Sequence, residues 1–158
     1  MKKILPSLML VIIFLFSWSL PLIATDALTN LERAFLLNQA SLLKNVLPAN
    51  RYLNISFPAP LSISNNFSSE QSFLIFNYLF SRFKTLEFYS IHLYYPLAQK
   101  GTAILRARWS FQDRQTNKRY ALDVYFFLKT SSMFPALPEN TVIDQLPWKI
   151  QEIKGLPR

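Results

Sequence analysis

Between Asn66 and Phe88 the chain reads NFSSEQSFLIFNYLFSRFKTLEF, with Phe73, Phe76, Phe80 and Phe83 at steps of three, four and three. In a helix that spacing lines one face with aromatic rings, while Glu70, Asn77, Ser81 and Lys84 form a polar stripe opposite. Ser68 supplies a start signal, because its hydroxyl can accept from the amide of Gln71 while the Gln71 side chain reaches back. The run is too short and too polar at its ends to cross a bilayer. It is expected to be one wall of a core, and its wide apolar arc predicts cover on more than one side.

The same capping logic at Thr29-Asn30-Leu31-Glu32 predicts an earlier helix, carried by Leu31, Phe35, Leu42 and Val46 and ended by Pro48. RYLNISFPAPLSIS, residues 51 to 64, reads as one extended segment whose prolines confine it to an edge or a bend. Three strand patterns follow the phenylalanine-rich helix: LEFYSIHLYYPL, GTAILRARWSFQD and KRYALDVYFFLKT. The last two form a hairpin around Arg114-Gln115-Thr116-Asn117. In its first arm Ala103, Leu105, Ala107, Trp109 and Phe111 share a core face, and Thr102, Arg106, Arg108 and Ser110 share the other. In its second arm Leu122, Val124 and Phe126 point inward, which leaves Asp123 outside to pair with Arg106 or Arg108. A proline-bearing connection over 130 to 147 reads as a flap. The final strand, WKIQEIKGL, sets Trp148, Ile150 and Glu152 against Lys149, Gln151 and Ile153.

The amino terminus changes the picture of where the domain works. Met1-Lys2-Lys3 precedes ILPSLMLVIIFLFSWSLPLIA, a stretch without charge, and polarity returns at Thr25. Residues 1–24 read as a secretory signal, with Ala24 or Ala27 the last residue removed. An uncleaved anchor is the alternative, since Ile4 to Ile23 matches the ~20 apolar residues that span a bilayer. The domain, residues 28–156, is therefore expected in the periplasm or secreted, and tethered to the membrane if the leader stays.

Composition narrows the chemistry. The absence of cysteine excludes disulfides, thiolate metal sites and a cysteine nucleophile, and two glycines exclude a glycine-rich phosphate loop. No His or carboxylate pair has a ligand-like spacing, so neither a metal nor a cofactor is expected. A net charge of +8, or +6 once Lys2 and Lys3 leave with the leader, favours anionic partners. Arg106, Arg108, Arg114, Lys118 and Arg119 cluster on the hairpin as a candidate anionic docking surface. Nucleic acid is not expected outside the cytoplasm.

The order of elements resembles the nuclear transport factor 2-like superfamily, and most of all its small exported bacterial domains of unknown function. The residues that carry the resemblance are the Phe67-Ser68-Ser69-Glu70-Gln71 cap, the strand Phe88-Tyr89-Ser90-Ile91-His92, the series Tyr120, Val124-Tyr125, Leu128-Lys129, and the closing Ile150 and Ile153. The resemblance implies an α+β cone, in which a curved antiparallel sheet of four to five strands wraps two to three N-terminal helices. Enzymes of this fold place an acid or base inside the cone, where His92, Tyr94, Tyr95, Asp123 and Tyr125 are the residues available. A His92–Asp123 pair would serve an isomerase or dehydratase only if both side chains turned inward on neighbouring strands. The reading preferred is a non-enzymatic domain that binds a small apolar ligand or a partner protein, a second copy of itself included. Tyr94, Arg106, Arg108 and Tyr125 are its binding residues.

Overall fold

The computed structural model describes residues 27–96, 101–130 and 147–158. The leader and, its two end residues apart, the flap expected over 130 to 147 lie outside the described residues. Two α-helices, α1 (Ala27–Leu36) and α2 (Ser69–Arg82), and a 3-10 turn at Ala40–Leu43 accompany six strands: β1 (Leu53–Phe57), β2 (Ile63–Phe67), β3 (Phe83–Tyr94), β4 (Thr102–Asp113), β5 (Arg119–Thr130) and β6 (Trp148–Pro157). They form one sheet in the order β2-β1-β6-β5-β4-β3, antiparallel throughout except where β1 meets β6. The sheet thus has more strands than the four to five expected, and the described residues hold the lower of the helix numbers expected.

The extra strand comes from the proline segment. Pro58 and Pro60 sit in a turn where Leu61 and Ser62 amides both donate to the Pro58 carbonyl, and the chain reverses into β2. The prolines therefore spare both ladders, and β1 is an interior strand rather than an edge.

α1 also departs from expectation. It is already helical at Thr29, and it stops at Leu36 instead of running to Pro48. Asn38 takes a left-handed φ of 53°, its amide donates to Phe35 and the Gln39 amide to Ala34, which closes the helix in a Schellman motif. The Asn38 side chain then donates to the carbonyls of Phe80 (3.2 Å) and Phe83 (2.7 Å) and accepts from the Thr85 amide (3.2 Å). One residue thereby ends α1, satisfies the end of α2 and fixes the start of β3.

α2 has the expected capping box at Ser68 and Gln71. Because it follows edge strand β2 and feeds edge strand β3, it crosses the whole inner face of the sheet. Its 14 residues span about 21 Å, against about 24 Å for five strand spacings. Phe76 and Phe80 are buried, and Phe83, also buried, opens β3. The 3-10 turn, β2 and β3 pack against the helix, in keeping with the cover on more than one side predicted, while Leu74 and Tyr78, 62% and 55% exposed, leave it one open face.

Inside the cone Phe35 is the hub. Its ring stacks on Phe88 at 4.4 Å and meets Trp109 (5.1 Å), Phe80 (5.3 Å), Phe76 (5.8 Å) and Phe126 (5.8 Å) edge-on. Rings from both helices and three strands thus converge on one point, in geometries aromatic pairs prefer. The indole N–H of Trp109, buried among them, donates to Thr85 Oγ1 at 2.9 Å.

The core face of β4 is the one predicted, and Leu122, Val124, Phe126 and Leu128 of β5 join it. In β6 the expected alternation fails after Ile150. A register shift opposite Phe127 and Leu128 inserts Gln151, so that Ile153 and Gly155 turn inward and Glu152 outward. Gly155 has a packing reason, since a Cβ there would stand 2.6 Å from the ring of Phe57 on β1.

Candidate functional site

Of the residues singled out for binding or catalysis, His92, Tyr94, Arg106, Arg108, Asp123 and Tyr125 lie on the outer face of the sheet, away from the helices, while Arg114 and Lys118 stand in the turn between β4 and β5. Register makes the arrangement explicit. One cross-strand row runs Tyr89, Arg108, Asp123, Leu156; the next runs His92, Arg106, Tyr125, Lys154; the third runs Tyr94, Ile104, Phe127, Glu152. Strict alternation in β4 and β5 puts these side chains opposite the buried Ala107, Trp109, Val124 and Phe126.

Asp123 is the centre of this face. Its Oδ2 accepts from Arg106 Nη2 at 2.7 Å, and its Oδ1 stands 3.8 Å from Arg108 Nε, an ionic approach too long for a hydrogen bond. The pairing anticipated with either arginine is made with both. Arg106 lies over the Tyr125 ring at 5.8 Å, and Arg108 over the Tyr89 ring at 5.6 Å while donating to the Tyr89 hydroxyl at 2.8 Å. The hydrogen bond with Asp123 raises the Arg106 pKa further above its ordinary value. Two guanidinium groups are thus held by a carboxylate and two aromatic rings, with their charge kept and their freedom reduced.

His92 and Asp123 do not come together. They stand on β3 and β5 with Arg106 of β4 between them, His92 is exposed, and both face away from the cone. Tyr94, 55% exposed, and Tyr125 share that outer face, and Tyr95, 37% exposed, follows β3 with its ring 6.4 Å from that of Trp148. The sequence marks Tyr89 as part of a strand and not as a binding residue. Its partnership with Arg108 depends on the register between β3 and β4, which shifts at Thr85/Glu87 and again at Ser90/His92.

The hairpin end of the sheet is organised by Asp113. Its buried carboxylate accepts from the amides of Gln115 (2.8 Å) and Thr116 (3.4 Å) and pairs with Arg82 at 3.4 Å. The Gln115 amide foremost, then Thr116 and Arg82, hold its pKa below the usual carboxylate range despite burial. A shallow depression lies beside this end, floored by the facing small residues Ser110 and Ala121 and bounded by Leu86, Glu87 and Arg119.

No family model and no curated protein sequence matches the chain. Solved structures do. A DUF4783 family protein from Bacteroides uniformis aligns with a TM-score of 0.55 at 13% identity, over 82% of this chain and 94% of its own. A nuclear transport factor 2-like protein from Cytophaga hutchinsonii aligns at 0.52 and 9% identity, over 84% and 93%. A hypothetical protein with a ketosteroid isomerase-like fold from Catenulispora acidiphila, in complex with trimethylamine, aligns at 0.55 and 10% identity, over 82% and 83%. The likeness is one of fold, and with helices packed against one curved sheet it establishes that this chain has the nuclear transport factor 2-like fold.

Proposed function

We propose that the protein is an exported, non-enzymatic binding domain whose partner is another protein, docked on the outer face of the sheet. The observation that carries this reading is a contrast between the two faces. The inner face is packed with the rings of Phe35, Phe88, Phe126 and Trp109, whereas the outer face displays Tyr89, Tyr94, Arg106, Arg108 and Leu156 in adjacent rows. Tyrosine and arginine are the residues that dominate protein interfaces, and side chains already held in place lose less entropy on binding. A small apolar ligand inside the cone would have to displace the Phe35 cluster. An isomerase or dehydratase would need His92 and Asp123 inside it.

Photo-crosslinking from single sites tests the reading. A photoreactive phenylalanine at Tyr94 should capture a protein from the envelope fraction of the source cells, the same group at Tyr78 on α2 should not, and Arg106→Glu with Arg108→Glu should abolish capture while the fold persists. A product of twice the chain mass would identify the partner as a second copy. Equal capture at both sites, or turnover of a substrate that His92→Ala abolishes in a folded protein, overturns the proposal. Intact mass of the exported chain, expected to begin after Ala24 or Ala27, checks the location.

A further inference from the structure

The basic residues of the hairpin separate into two groups in space. Arg106 and Arg108 are engaged by Asp123 and by tyrosine rings. Arg114, Lys118 and Arg119 are exposed at the end of the sheet, and the fold brings them two cations from elsewhere in the chain. Lys84 pairs with Gln112, which pairs with Arg119, so the two cations flank one cross-strand row on the outer face. The Arg82 carbonyl accepts from the Arg114 amide at 3.0 Å, and the Arg82 side chain bonds to Tyr78 on α2. Five cations therefore ring one end of the domain: Lys84 and Arg119 outside, Arg114 and Lys118 at the turn, Arg82 on the helix side. Of the two acids close by, Asp113 is buried and occupied, and Glu87 is exposed. A surplus of three positive charges remains.

We infer that this end of the domain docks on an anionic lipid surface. A linear polyanion engages a track of cations along one face, and either face here offers it only part of the ring. A plane laid across the strand ends meets all five. Leu86, exposed at the register shift beside Lys84, adds an apolar side chain of the kind that enters the headgroup boundary. Each lysine or arginine held near an anionic leaflet strengthens binding on the order of fivefold. The inference concerns a surface separate from the rows around Asp123 and stands or falls independently of the partner proposed there.

Because the chain has no cysteine, a single introduced thiol can carry a fluorophore, and a site-specific readout works whether or not the leader also anchors the chain. The full chain labelled at Gln115→Cys, in the turn, is mixed with vesicles of phosphatidylcholine containing about a third phosphatidylglycerol and a headgroup quencher. Strong quenching is expected at ~0.1 M salt, most of it lost at ~0.5 M, where the screening length falls to a few ångströms. A label at Lys129→Cys, near the opposite end of β5, should be quenched far less. Lys84→Gln with Arg119→Gln should weaken the Gln115→Cys signal at least tenfold, with an unchanged unfolding midpoint as control. Quenching that is equal on pure phosphatidylcholine, equal at both labels or insensitive to salt overturns the inference. So does soluble polyphosphate binding the labelled turn as tightly as the vesicles do.

Discussion

The side-chain amide of Asn38 donates to the carbonyl oxygen of Phe83 at 2.7 Å, across 45 residues of sequence, and so ties the end of the first helix to the start of β3. Its three side-chain hydrogen bonds stand at a helix terminus whose carbonyls have few other partners. Asn38→Gly keeps the left-handed backbone and loses those bonds. It is expected to cost about 1–3 kcal/mol, read by urea unfolding, and Asn38→Ala is expected to cost more because it adds backbone strain.

Phe35→Ala should be among the most damaging single changes in the chain, since five rings meet that side chain. Loss of about 3–5 kcal/mol is expected, and the same for Phe80→Ala. Phe73, half-buried beneath Lys44, should cost clearly less. Equal losses at Phe35 and Phe73 would show that the hub is misplaced.

Gly155→Ala places a methyl group against the Phe57 ring. Overpacking of this kind costs about 1–3 kcal/mol. Phe57→Leu in the same chain should recover part of that loss, and a double-mutant cycle without coupling between the two would refute the contact.

The depressed pKa of Asp113 makes its contribution dependent on pH. A carboxyl group with a folded pKa below its unfolded one stabilises fully above the unfolded value, about pH 4, and the stabilisation disappears as pH falls through the folded value. Denaturation midpoints of the unmodified chain should therefore fall more steeply below about pH 4 than those of Asp113→Asn. Parallel curves would show that the carboxylate has no special place in the turn.

His92→Ala, an exposed change on the outer face, should move stability by no more than about 0.5 kcal/mol. A large loss in equilibrium unfolding would reveal a structural role that its position does not suggest.

Much of this architecture was legible in side-chain alternation. The core faces of β4 and β5, the cap at Ser68 and the outward Asp123 between two arginines all follow from periods of two or from local capping chemistry. What escaped was local punctuation and long-range register. Asn38 ends α1 although the apolar pattern continues past it, because its left-handed backbone outweighs the pattern. One inserted residue in β6 exchanges Glu152 for Ile153, and no periodicity can foresee an insertion imposed by the partner strand. The outer-face cluster proposed as a binding surface was half visible for the same reason. Arg106, Arg108, Tyr94 and Tyr125 were picked out as candidates, while Tyr89, Lys84 and Arg82 join them or the hairpin end only through pairings made between distant segments.

β6 lies between β1 and β5, so that without it the sheet falls into a two-stranded piece and a three-stranded piece joined only by α2 and the helix side of the core. Those pieces are made first and their bridging strand last. A chain emerging residue by residue therefore has no continuous sheet until positions 148–157 are available. For a chain exported as proposed above, that order of assembly keeps the sheet open while the strands from β1 to β5 cross.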